Sequence, residues 1–189
     1  MKVARAIGVW LACVGSAGLL AAAAGLGVVY GGIYDVRASR PHYWPMAWLT
    51  RTTMTWSDRR LARTIAAPSS FSAAQAQAGA QLYAQRCAAC HGGPGLGRAA
   101  WASGLTPSPP YLLDAAHKWS AAQLFVIVHD GVKMTAMPAW GEAEPPARIW
   151  AVVAFLEALP GLSAADYQQL TAPRPGTDLL QPPHRATPG

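Results

Sequence analysis

The chain has 189 residues, 52% of them apolar and only 13% charged, with 18 Gly, 16 Pro and 8 Trp. That make-up excludes a disordered polyelectrolyte and a coiled coil, and the length allows one folded domain with an appendage rather than two large domains. The formal charge of +6 would suit a nucleic-acid or membrane-surface binder, but residues 1–71 hold 8 basic and 2 acidic side chains, residues 72–162 hold 5 of each, and residues 163–189 hold 2 of each. A nucleic-acid reader carries its positive face on the folded domain, so nucleic acid is not expected as a partner.

Residues 6–34 contain no charged side chain, and Ile7, Val9, Trp10, Leu11, Val14, Leu19, Leu20, Leu26, Val28 and Val29 are apolar on every face of a helix. About 20 residues suffice to cross a bilayer, so residues 1–34 are expected to form a transmembrane anchor. The competing reading is a cleaved signal peptide with Lys2 and Arg5 ahead of the apolar stretch and small residues at 21–24. The apolar run continues past that point to Ile33, which favours retention. Cys13, with only 12 residues before it, does not read as a lipoprotein cysteine and is expected to pack as a small side chain. Lys2 and Arg5 before the span and Arg37, Arg40 and Arg51 after it leave its orientation undecided by charge. Gly27 with Gly31, and Ala17 with Ala21, have the spacing of close helix contacts, a spacing that an Ala-rich span also yields from composition alone.

Residues 35–71 read as a juxtamembrane connector. Tyr43, Trp44 and Trp48, set between Pro41, Pro45 and Leu49, suit the level of lipid headgroups. Ser57 is expected to cap a short helix running to about Ile65 and bearing Arg59, Arg60 and Arg63. Anionic lipid, a partner subunit and plain solvent are all open as surroundings for these arginines.

The chemistry concentrates in Cys87-Ala88-Ala89-Cys90-His91, the C-x-x-C-H pattern of covalent haem attachment. Two thiols one helical turn apart can add to the two vinyl groups at one porphyrin edge, and the adjacent imidazole can then reach the iron. Composition alone would produce this pentapeptide roughly 0.001 times in such a chain. A zinc site would need two further ligands at matching spacing, and His42, His117, His129 and His184 are scattered. A thioredoxin-like centre would follow a buried strand, whereas residues 72–86 are Ala- and Gln-rich and read as helix.

With these residues in view, residues 72–160 resemble the class I cytochrome c family. The resemblance rests on a helix ending in Cys87-Ala88-Ala89-Cys90-His91-Gly92, on the stretch Gly131-Val132-Lys133-Met134-Thr135-Ala136-Met137-Pro138, and on a C-terminal helix over residues 145–159 carrying Ile149, Trp150, Val152, Val153, Phe155, Leu156 and Leu159. It implies an all-α fold in which the first and last of these helices cross. It also implies one haem c attached through Cys87 and Cys90, with His91 and Met137 as axial iron ligands. Met134 is the weaker distal alternative, with His129 and His117 behind it. Pro138 restricts the backbone of Met137 and so limits where its sulfur can point. The family further implies a backbone carbonyl near a proline as acceptor for the His91 Nδ1 proton, with Pro107, Pro109 and Pro110 as candidates. Gly92, Gly93, Gly95, Gly97 and Gly104 allow a loop close to the porphyrin, and Ser120 caps a helix whose Leu124, Phe125, Ile127 and Val128 would wall the pocket. Trp101, Tyr111, Trp119 and Trp140 are equally readable as propionate donors or as core.

Residues 72–162 are therefore expected to form the haem domain, and residues 163–189, rich in proline, an irregular tail. Paired carboxylates and a nucleophile beside a histidine are lacking, so the expected role is single-electron transfer rather than enzymatic turnover, without a small-molecule substrate. His/Met ligation fills both axial positions and favours ferrous iron. The expected protein is a membrane-anchored monohaem cytochrome c of a periplasmic-side respiratory chain at the inner membrane. Its redox partner would be a dehydrogenase, a quinol-oxidising complex or a terminal oxidase. The aromatic, Arg-rich connector and the neutral haem domain favour a docked subunit over a loosely tethered shuttle. A haem-based sensor or small haem enzyme with a displaceable distal ligand is the alternative from another class.

Overall fold

A computed structural model describes residues 2–172, and the expected irregular tail lies for the most part outside this range. The chain divides into two compact units, Met1–Arg40 and the remainder from Pro41. Helix α1 (Lys2–Tyr30) fills most of the first unit, and none of its residues is buried. Its 29 residues would extend about 43 Å, long and apolar enough to cross a bilayer.

The second unit is all helical, with no strand among the described residues. Helix α2 (Trp44–Ala62) opens on Pro45, whose fixed φ suits a first turn. The helix expected to start at Ser57 is thus one third of a longer one, and Ser57 lies exposed within it. Thr50 and Thr55 donate their hydroxyls to the carbonyls of Met46 and Arg51 one turn back, each at 2.9 Å, so neither competes with the helical backbone. The less exposed residues Ala47, Thr50, Met54 and Asp58 recur every three or four positions, giving one face that packs on α6.

Helix α3 (Ala73–Arg86) starts from a reciprocal cap in which Ser72 accepts from the Gln75 N–H at 3.2 Å and donates its own to Gln75 Oε1 at 2.9 Å. The short α4 (Ala88–His91) and α5 (Ala115–Lys118) follow. Helix α6 (Ala121–Asp130) repeats the same cap with Ser120 and Gln123, and the Pro145-Pro146 pair opens α7 (Pro146–Ala158). Such caps hold about 1 kcal/mol each.

Helices α3 and α7 form the most extensive pairing in the chain. Gly79 permits it, because a Cβ at this position would fall on the backbone carbonyl of Ala151. Around the crossing lie Leu82, Tyr83, Ile149, Val152, Val153, Phe155 and Leu156, all buried, joined by Leu124, Phe125 and Val128 of α6. Tyr83 and Phe155 rings lie 5.1 Å apart and Phe125 and Trp150 4.3 Å apart. Each fully buried side chain of this size contributes roughly 1.5–3 kcal/mol. Between the ends of α3 and α7, buried Glu144 meets Arg148 at 2.8 Å and Arg86 at 3.7 Å.

Residues 164–171 depart from the irregular tail expected there. They form α8 (Ala164–Thr171), capped reciprocally by Ser163 and Asp166. Its Tyr167 is buried against Tyr83 and Phe155, and Gln81 of α3 donates to the carbonyls of Leu170 and Ala172. The proline content further along hid this helix, yet Ser163-Ala164-Ala165-Asp166 is a legible cap, and Tyr167 with Leu170 is a legible three-residue spacing.

Candidate haem site

The two cysteines sit on the turn that ends α3. The Cys87 N–H still donates to Tyr83 at 2.8 Å, and Cys90 and His91 both donate back to the Cys87 carbonyl at 3.0 and 2.8 Å. One tight turn therefore carries Cys87, Cys90 and His91 at i, i+3 and i+4, neighbouring positions on a helical surface. No disulfide engages Cys87 or Cys90 among the described residues, and burial pushes the Cys87 thiol up to about 12. The chain then turns at Gly92, whose φ is +66°; a Cβ here would fall 2.7 Å from the Leu96 carbonyl and 2.8 Å from the Tyr111 ring. Tyr83 fixes this corner by donating its hydroxyl to the Gly92 carbonyl at 2.8 Å, and Tyr167 lies against Gly93, leaving no room for a side chain there.

His91 Nδ1 lies 2.7 Å from the Pro110 carbonyl oxygen. A carbonyl only accepts, so Nδ1 carries the proton and Nε2 keeps its lone pair for a metal. Pro110 is one of the three prolines expected to provide this acceptor. Burial lowers the basicity of His91 and keeps the ring neutral, as a ligand must be.

The stretch 131–139 is a clamped loop. Gly131 has φ +67°, and a Cβ on it would lie 2.6 Å from the Pro138 carbonyl carbon. Val132 donates to the Met137 carbonyl at 3.2 Å. Thr135 donates its hydroxyl to the Val132 carbonyl at 2.7 Å and accepts from the Met137 N–H at 3.1 Å. Nothing in the sequence reading pointed to Thr135, although a threonine two residues from a Met-Pro pair is a ready local acceptor.

The four candidates for the distal position differ in their surroundings. Met137 is half-buried and packs, like Cys87, against the buried cluster of α3, α6 and α7. Met134 is 64% exposed and sits at φ +63°. His129 stacks on Phe125 at 5.3 Å and holds Asp130 at 2.6 Å, and His117 is exposed. Of the four aromatics weighed as propionate donors, Trp119 and Trp140 pack on the core, whereas Trp101 and Tyr111 are exposed.

The residues present fit a haem. Thiols, an oriented neutral imidazole and a thioether form a donor set for iron and for two vinyl groups. Tyr111 and Leu96 close on Gly92 beside the cysteine turn, and both side chains stay exposed, apolar surface next to the thiols for a flat macrocycle. Arg98, absent from the sequence expectations, lies 4.0 Å above the Tyr111 ring and close enough to His91 to act on its charge. Its buried Nε has no hydrogen-bond partner among the described residues, a cation available to a carboxylate-bearing group.

A family model described as cytochrome C oxidase, cbb3-type, subunit III matches residues 74–156. The matched stretch runs from α3 to α7 and contains the cysteine turn and the methionine loop, while α1, α2 and α8 lie outside it. No curated protein and no solved structure gives a match.

Proposed function

We propose a role for this chain from the premise that, through residues 74–156, it belongs to the class I cytochrome c family: it is a membrane-anchored monohaem electron carrier. Domains of this family bind haem c, which supplies one-electron exchange. In this chain Cys87 and Cys90 are assigned to its covalent attachment, His91 to one axial position and Met137 to the other.

The observation that carries the assignment is the hydrogen bond from His91 Nδ1 to the Pro110 carbonyl. It fixes the ring, selects the tautomer and raises the donor strength of Nε2. Met137 is favoured over Met134 because its loop is clamped and its side chain shares the buried cluster with Cys87. A thioether held in this way occupies the sixth position and shields it from oxygen, which suits electron transfer better than ligand activation.

Helix α1 supports an anchor by length and composition. Haem is attached to cytochromes of this family on the outer face of the cytoplasmic membrane, so the reading sets the N-terminus inside and the haem domain on the periplasmic side. We assign the chain to a respiratory route as a subunit or tethered partner of a membrane redox complex. The packing of α2 on α6 supports the docked form, because residues 44–62 are built onto the haem unit and do not serve as a free tether.

Absorption spectra of the membrane-expressed chain, oxidised and reduced, test the ligand assignment. The oxidised protein is expected to show the weak far-red sulfur-to-iron band, absent from Met137→Ala and present in Met134→Ala. Retention of haem colour after denaturing electrophoresis, lost when Cys87 and Cys90 are both replaced by alanine, checks the covalent link. A native high-spin spectrum with ready carbon monoxide binding would replace the carrier by the sensor or haem-enzyme reading.

A further inference from the structure

We infer that the outward face of α2 is an interfacial docking surface for anionic lipid headgroups, which holds the haem domain down on the membrane. The inference rests on the anchor reading above only for the tether, and its test separates the two.

On a helical projection, Ala47, Thr50, Met54 and Asp58 point to the side that packs on α6. Trp48, Leu49, Trp56, Arg59, Arg60 and Arg63 fall within about a third of a turn on the opposite side, from the 100° step of an α-helix. All six are exposed: Trp48 and Trp56 are each 62% exposed and Leu49 51%. Three large apolar groups on a solvent-facing helix side need a cover.

Charge selects the occupant. Asp58 is the sole acidic residue of α2, and it is turned inward and buried. The outward side therefore carries three arginines and no acid, and no ion pair among the described residues joins them. The Arg59 guanidinium stands 5.3 Å from the Trp56 ring centroid, so the two chemistries interleave. Tryptophan at the boundary and arginine at the phosphates is the combination that binds an anionic bilayer surface. A neutral apolar partner would leave the arginines unanswered.

Chain length agrees. Thirteen residues separate the end of α1 at Tyr30 from the start of α2 at Trp44, a reach of at most about 45 Å. A helix held that near to a bilayer meets its headgroups at high effective concentration.

The test uses the full haem-loaded chain in vesicles of phosphatidylcholine, with or without phosphatidylglycerol. Each lipid carries a photoactivatable group near its headgroup, and cross-linked peptides are mapped by mass spectrometry. Cross-links to residues 48–63 are expected with phosphatidylglycerol, with peptides of α8 as the unlabelled reference. They should fall roughly tenfold when Arg59, Arg60 and Arg63 are all glutamine, and likewise in the Trp48→Ser, Trp56→Ser pair. Circular dichroism and the haem spectrum confirm that both variants fold. Labelling of α2 no higher than α8, or labelling indifferent to phosphatidylglycerol and to the arginines, overturns the inference. So does protection of α2 that requires a co-purifying acidic protein. Labelling of α2 without labelling at either end of α1, near Lys2 or Tyr30, refutes the anchor and leaves the docking surface standing.

Discussion

Thr135 decides how firmly Met137 is held. Its one hydroxyl donates to Val132 and accepts from Met137, so the loop closes over three residues. Met134, caught inside that closure, is driven to φ +63°, a conformation that costs an L-residue other than glycine about 1–2 kcal/mol. The closure must outweigh this, and two hydrogen bonds of about 1 kcal/mol each suffice. Thr135→Val keeps the shape and removes both. The loop should then open more easily by about 2 kcal/mol, with a weaker far-red band and carbon monoxide binding to the reduced protein faster by roughly thirtyfold. An unchanged binding rate would show that the hydroxyl does not hold Met137. The sequence shows two methionines three positions apart and cannot rank them physically; the proposed ranking rests on the clamp and on the positive φ of the other residue.

At the scale of elements, the crossing of α3 and α7 is where the fold is least forgiving. Gly79 brings the two backbones together, and the added methyl of Gly79→Ala would occupy the Ala151 carbonyl. Backbone cannot yield as a side-chain tip does, so the variant should lose about 3 kcal/mol or more, read as a lowered denaturation midpoint of the haem-loaded protein. An unaltered midpoint would mean that the helices separate without loss. Helix α3 was legible from its Ala- and Gln-rich composition, α6 from the Ser120 cap and its apolar face, and α7 from its apolar residues within the family resemblance. Helix α2 was obscured because its packed face uses Ala47, Thr50 and Asp58, residues that do not read as core, while its tryptophans face outward. Helix α8 was obscured because the prolines beyond it drew the whole segment into an irregular reading, although its Ser163–Asp166 cap was legible. The crossing itself followed from the family resemblance; the role of Gly79 did not, since a glycine in a helix pattern has no signature separating close approach from weakness.

Across the whole molecule, the uneven charge acquires a structural sense. Residues 72–162 are balanced, and the basic excess lies in residues 1–71, on the two helices there and the segments beside them. One group runs against this trend. Asp58 is buried on the packed side of α2, its Oδ2 has no hydrogen-bond partner among the described residues, and desolvation, together with the charge of Asp130 on α6, raises its pKa above the ordinary 3.8. In the folded chain the proton is therefore held more tightly than in the unfolded one. Between 3.8 and the raised folded value the native state binds more protons, so stability falls as pH rises through that window and stays low above it. Asp58→Asn removes the charge and keeps the shape. It should stabilise the docking of α2 at neutral pH by about 1 kcal/mol, and the advantage should shrink as pH falls through the folded value and level off below 3.8. Denaturation midpoints of wild type and variant, measured from pH 3 to pH 8 in detergent, check this. A constant difference across that range would assign the effect to hydrogen bonding, whereas a difference that closes on acidification would show that an acid has been kept inside α2 at a cost in stability. That cost has a consequence for the outward side of the helix: every negative charge on α2 is turned away from the face where Arg59, Arg60 and Arg63 stand, so the field presented there is undiluted.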